Sequence, residues 1–187
     1  LTDLRAAILA APIDPDVLDV LYRRVRLKLG GKGVFVRSST NAEDLPGFNG
    51  AVEVSCGALH TCVRLSSGQV RCWGYNGYGQ LGDNSVTTNY TPVVVDINTT
   101  NSVLTGAVQL TSGINHTCAR ISDGTVRCWG YNAYGELGNG TTTAARIATP
   151  VQELRPGASS PITLTGVRHV AAGFYQTCAA MTDLTVR

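Results

Sequence analysis

The sequence has no uninterrupted apolar run long enough to span a bilayer, which argues against a membrane-inserted helix. It has no block of like charge, and its formal net charge is only +2 over 187 residues. A balance that small does not imply nucleic acid or an acidic surface as partner. No signal peptide is visible, and residue 1 is Leu rather than Met, so the natural start is expected upstream. Cys-x-x-Cys is absent, which leaves redox catalysis of the thioredoxin type without support. What is abundant is glycine, 21 residues, together with Thr and Asn. That composition points to a turn-rich, β-rich chain rather than a disordered one.

The character of the chain changes near residue 51. Both lysines, Lys28 and Lys32, lie before it. All six cysteines and both tryptophans, Trp73 and Trp129, lie after it. In the first piece, LTDLRAAILAAP reads as a helix ended before Pro12. A second helix follows, with Asp14 as N-cap and Pro15 at its first position. Val17, Leu18, Leu21, Val25 and Leu29 form its apolar face, and Gly30-Gly31 stop it. GVFVRSS is then a short strand running into a polar loop. An Arg at such a strand end, with hydroxyls beside it, can clamp an anion.

The longer string VFVRSSTNAEDLPGFNGA resembles the ATP-grasp-like N-terminal domain of phosphoenolpyruvate synthase and pyruvate phosphate dikinase. The resemblance covers residues 1–51 and implies an α/β segment of two helices and a strand. It implies that Arg37 meets ATP phosphates with Ser38 and Ser39 beside it, and it assigns no role to Glu43 or Asp44. ATP and magnesium would be cofactors only under this reading. The family's later metal-binding carboxylates and its phosphate-carrying histidine have no match in the sequence, so a complete dikinase is not expected.

The second piece is a repeat. HTCVRLSSGQVRCWGYNGYGQLGDNS, starting at His60, matches HTCARISDGTVRCWGYNAYGELGNGT, starting at His116, at 17 of 26 positions. The offset is 56 residues, and a third start, GFYQTCAAMTDLTVR, puts Cys178 a further 60 residues on from Cys118. Such a period signals stacked supersecondary units. Each unit reads as four strands: AVEVSCG, VQLTSG or VRHVAAG first; HTCARIS second; TVRCWG third; and a fourth begun by proline, at 91–97 and 149–154.

The pattern G-x-x-H-T-x6-G-x-V-x-x-W-G-x-N-x-x-G-x-L-G resembles the regulator of chromosome condensation repeat, also found in β-lactamase inhibitor protein II. The resemblance covers residues 52–187 and implies a seven-bladed β-propeller. Two whole four-stranded blades (52–107 and 108–166) and part of a third (167–187) are expected, so further blades would be needed to close a ring. It implies a bacterial, cysteine-containing version of the repeat. Guanine-nucleotide exchange does not carry over, because the shared residues are scaffold positions.

The cysteines pose a choice. A zinc set of His60, Cys62 and Cys72, or His116, Cys118 and Cys128, has spacing H-x-C-x9-C without the paired elements that let ligands converge, so no metal site is expected. A three-residue hairpin loop at Ser66-Ser67-Gly68 or Ser122-Asp123-Gly124 puts Cys62 opposite Cys72 and Cys118 opposite Cys128, as staples. A two-residue Asp-Gly turn shifts the register by one, improves the pairing of Ile121 with Val126, and puts the cysteines on opposite faces. Cys56 and Cys178 are left unpaired. Cys56 matches Ser112 and Ala172 and is expected to be small and buried; Cys178 calls for a partner at position 188.

Tyr75, Tyr78, Tyr131 and Tyr134 recur in the loops. They suit either a binding face or packing between units, with at least one of each pair expected to pack. His60 and His116 are expected to be hydrogen-bonded at strand starts, and the tryptophans to be core. No convergent catalytic set emerges. The expectation is a non-catalytic β-propeller module that binds a protein through its loops. The alternative is a fragment of an ATP-dependent phosphotransferase. Paired cysteines favour an extracellular, periplasmic or cell-surface location; the dikinase-like string favours the cytoplasm.

Overall fold

The computed structural model describes residues 50–187, apart from 101, 155, 156 and 158. The expected helices, the GVFVRSS strand and the anion-binding residues Arg37, Ser38 and Ser39 lie outside the described residues. Among the described residues there is no α-helix. Two four-stranded antiparallel sheets follow one another in simple order. The first holds β1 (Ala51–Cys56), β2 (His60–Leu65), β3 (Val70–Gly74) and β4 (Asn89–Val94). The second holds β5 (Ala107–Ser112), β6 (His116–Ile121), β7 (Val126–Gly130) and β8 (Ala145–Pro150). A small hairpin, β9 (Gln152–Glu153) with β10 (Ile162–Thr163), lies in the connection to a third unit. That unit pairs β11 (Val167–Ala172) with β12 (Thr177–Met181), and Val186 bridges to Ala180 beyond it.

The central hairpins settle the register. Cys62 pairs with Cys72 and Cys118 with Cys128, and Arg120 rather than Ile121 faces Val126. The two-residue turn is therefore ruled out, for a local reason. Gly124 takes a left-handed φ of +81° and its N–H bonds the Ile121 carbonyl, while Ile121 N–H bonds the Thr125 carbonyl. Asp123 accepts from both the N–H and the hydroxyl of Thr125, which fixes the three-residue loop. The sulfur atoms lie at disulfide distance, 2.10 Å for Cys62–Cys72 and 2.13 Å for Cys118–Cys128.

The fourth strands start earlier than the prolines suggest. Pro92 sits within β4, and Pro150 is the last residue of β8. Both strands are the outer edge of their sheet, where a missing N–H forfeits no ladder bond.

The two larger cores form between sheets, while Val63, Leu65 and Trp73 make a smaller cluster within the first. One cluster joins Cys62, Val70, Cys72, Leu81, Val95 and Leu104 to Leu110, Ala119, Ile121 and Trp129 of the second sheet. The next repeats it with Cys118, Val126, Cys128, Leu137 and Leu164 against Val170, Ala179 and Met181. Trp129 is fully buried and donates its indole N–H to the Gln80 carbonyl at 2.9 Å. Its seat requires Gly82, since a Cβ there would press on the indole at 3.0 Å.

Cys56 corrects the sequence reading. It is exposed, although its counterpart Ser112 is half-buried. The reason is directional. Ser112 ends the strand whose Leu110 packs against the first sheet, whereas Cys56 ends β1, which has no described sheet on that side. Trp129→Ala is expected to cost about 3–5 kcal/mol of unfolding free energy by urea titration, as large core aromatics do. A cost near that of an exposed substitution such as Tyr134→Ala would show that the seam is not the core.

Candidate functional site

The loops at one end of the sheets gather where β1, β5 and β11 finish and β3 and β7 finish. Each is tied down from below. The buried Asn76 accepts the Leu81 N–H at 2.9 Å and donates to Asp83 at 3.0 Å. Asn132 repeats this, accepting from Leu137 at 2.9 Å and donating to the Thr141 and Thr143 carbonyls at 3.0 Å. Gln80 accepts the Tyr78 N–H and Glu136 the Tyr134 N–H, each at 2.9 Å. This is the physical content of the N-x-Y-G-x-L-G string: a buried amide organises the loop, and a second buried polar side chain fixes the tyrosine backbone.

The tyrosines so held form a continuous ridge. Tyr75 and Tyr78 meet at 6.2 Å between ring centroids, and Tyr78 meets Tyr131 of the second sheet at 4.8 Å. Tyr131 continues to Tyr134 at 6.2 Å and to Tyr175 at 6.4 Å. Tyr134 lies 5.3 Å from Tyr175, and Tyr175 lies 4.7 Å from Phe174. Tyr134 is 71% exposed and Phe174 63%. Packing between units and surface presentation thus coexist: Tyr78 and Tyr131 touch across the seam, while Tyr134, Phe174 and Tyr175 are exposed. Phe174 and Tyr175 escaped the sequence reading because they replace Ile114 and Asn115 of the better-matched copy. The surroundings of Tyr131, desolvation first and then the neighbouring tyrosines and Glu136, raise its hydroxyl pKa.

Beneath the ridge, each repeat clasps the next. His60 Nε2 bonds the Thr117 hydroxyl at 2.8 Å, and His116 Nε2 bonds the Thr177 hydroxyl at 3.0 Å. Both histidines are buried at strand starts. Gly57 and Gly113 lie against their rings, where a Cβ would collide. His60 and Cys62, weighed above as metal ligands, are engaged with Thr117 and Cys72. Among the described residues no group of three His, Cys, Asp or Glu side chains is placed to hold a metal.

Two family models described as the regulator of chromosome condensation (RCC1) repeat match this chain, over residues 51–80 and 107–136 and over 67–120 and 123–180. The chain belongs to the RCC1 repeat family. The matches begin at residue 51, the last residue of the dikinase-like string, and take in nothing before it. The chain is 32% identical to the Ultraviolet-B receptor UVR8 of Arabidopsis thaliana over 65% of its own length and 27% of that protein's. It is 37% identical to human E3 ubiquitin-protein ligase HERC2 over 61% of its length, which is 2% of that protein. It therefore spans under a third of these relatives. Among solved structures, human WBSCR16 superposes with TM-score 0.56 at 21% identity, covering 73% of this chain and 32% of that one. Kap60-bound yeast RCC1 (Prp20) gives 0.53 at 20% identity, covering 82% and 30%. These structures share its fold. The two sheets are RCC1 blades, and β11–β12 begins another.

In this RCC1 seam His60 is the group most sensitive to pH. Burial, and secondarily the nearby His116, push its pKa from 6.5 down to about 4. The unfolded chain therefore binds one more proton than the folded chain between those values. Stability is full above pH 6.5 and falls with pH through that window, by up to about 3 kcal/mol from this residue. Urea midpoints at about pH 7 and about pH 4.5 should show the loss, and His60→Gln, the residue type of the third copy, should show a smaller one. Equal losses in the two proteins would contradict the assignment.

Proposed function

We propose that this RCC1-repeat chain is a non-catalytic module that binds another protein across the aromatic ridge of its loop face. The observation that carries the reading is the ridge itself: six contacting rings, from Tyr75 to Phe174, cross three successive repeats, and all but the half-buried Tyr131 are exposed. Large aromatic rings on a rigid support deliver contact area at little entropic cost, and they dominate binding energy at protein interfaces. The buried Asn76, Asn132, Gln80 and Glu136 provide that support, so little ordering remains for the moment of binding. The module performs no reaction and needs no cofactor. It works in an oxidising compartment outside the cytoplasm, a placement supported by the two cross-strand cystine pairs.

The test is affinity capture from the source cell's surface and secreted fractions, with the native chain beside Tyr134→Ser/Tyr175→Ser. The double variant alters exposed rings and should fold with an unchanged urea midpoint. Its specific partner should be retained at least about tenfold less. A full set of retained partners on the double variant would remove the ridge as the binding face.

A further inference from the structure

The seam between the first and second blades shows what the position of Glu136 does when its partners are neutral amides. Its counterpart there is Gln80, whose Oε1 accepts the Tyr78 N–H and whose Nε2 donates to Asn115 Oδ1 at 3.4 Å. The third strand of the neighbouring blade bonds Gln80 at its backbone carbonyl, through the Trp129 indole, and not at its side chain. In the next seam both amides are replaced: Gln80 by Glu136, and Asn115 by Tyr175. Glu136 Oε2 still accepts a tyrosine N–H, that of Tyr134 at 2.9 Å, but Oε1 is buried without a hydrogen-bond partner. The orphaned oxygen thus follows from the change at residue 175, in the loop between β11 and β12. A buried carboxylate oxygen without a partner is costly, and a glutamine at 136 would carry the same loop bond without the charge.

Three rings of the ridge stand around this acid. Tyr131, Tyr134 and Tyr175 have centroids 5.3 to 6.4 Å apart and planes tilted by 49 to 62° to one another. Desolvation first, then Tyr134, Glu136, Tyr78 and Tyr175, oppose ionisation of the Tyr131 hydroxyl. Surroundings that disfavour a phenolate favour a cation. The protein brings none of its own here. The loops of this face, 57–59, 75–88, 113–115, 131–144 and 173–176, carry the carboxylates Asp83 and Glu136 and no Lys or Arg. The arginines nearest in sequence, Arg127 and Arg146, lie in the strands β7 and β8.

We propose, building on the protein-binding reading of the ridge, that it takes an arginine side chain of the partner, its guanidinium stacked on the Tyr131 and Tyr175 rings over the Glu136 carboxylate. A guanidinium is planar, weakly hydrated and attracted to ring faces, which suits it to this place better than a compact ammonium. The carboxylate acts from beneath through a layer poor in water, where a charge is felt more strongly than at an open surface. Charge complementarity of this kind selects the partner as well as holding it.

The probe is the peptide Gly-Ser-Arg-Ser-Gly, acetylated and amidated so that arginine carries its only charge. It is titrated into the intact chain at low ionic strength, with tyrosine ring signals followed by NMR, beside the same peptide with citrulline, which keeps the planar shape and loses the charge. The arginine peptide should bind about tenfold or more tighter than the citrulline peptide and shift the Tyr131 and Tyr175 signals. Glu136→Gln restores the residue type of the first copy, so it should fold with a urea midpoint no lower than native, and the preference for arginine should fall below about threefold. Equal binding of the two peptides, no binding of the arginine peptide, or a full arginine preference kept by Glu136→Gln would overturn the proposal. Failure of the ridge reading itself is seen separately, as partners retained by Tyr134→Ser/Tyr175→Ser; partners lost by that variant and kept undiminished by Glu136→Gln would remove the arginine and leave the ridge.

Discussion

Everything in this structure depends on one contact made repeatedly: each blade is closed by the next. A four-stranded sheet has two apolar faces and cannot bury either alone. Here the indole of Trp129 reaches back into the first blade, and His60 reaches forward to Thr117. Inner strands add to the seam. Glu53 accepts the Leu110 N–H, and Gln109 both donates to and accepts from the Val170 backbone. The hairpin tip joins as well, with Gly68 accepting from Ala107 and its Cα side pressed on Gly106. The cystine pairs lie inside this seam, where the Cys62 and Cys118 sulfurs approach the Thr117 and Thr177 hydroxyls.

The seam also makes the loop face usable. Loops on a protein surface are ordinarily its least ordered part. These are anchored from beneath by buried amides and by main-chain bonds between blades, such as Ala58 N–H to the Ile114 carbonyl. The same stacking that buries Trp129 places Tyr78 against Tyr131, so a partner meets a surface formed by several repeats together. Changes in the rings alter what is bound; changes in the amides beneath alter whether the rings are presented.

Much of this was legible in the sequence because the repeat is strict where the seam is. His60-Thr61-Cys62 and His116-Thr117-Cys118 align where His60, Cys62, His116 and Cys118 reach the next unit, and alignment places the strands while narrowing the cysteine pairing to a choice between two turns. Three features were not legible. The exposure of Cys56 depends on which side of β1 another sheet covers, which composition cannot show. The fourth strands begin ahead of their prolines because they are edges, a property of sheet order. The ridge joins rings from non-adjacent loops, and its last members, Phe174 and Tyr175, stand where the repeat has diverged.

The central claim is that successive blades are energetically one unit, joined through side chains that each belong to a different repeat. A double-mutant cycle on His60→Ala and Thr117→Val, read by urea denaturation at neutral pH, tests it most directly. The account predicts a coupling energy of about 0.5–3 kcal/mol between them, as for residues sharing a buried bond. Additivity within about 0.3 kcal/mol would contradict it, since the two residues would then stabilise their own blades independently.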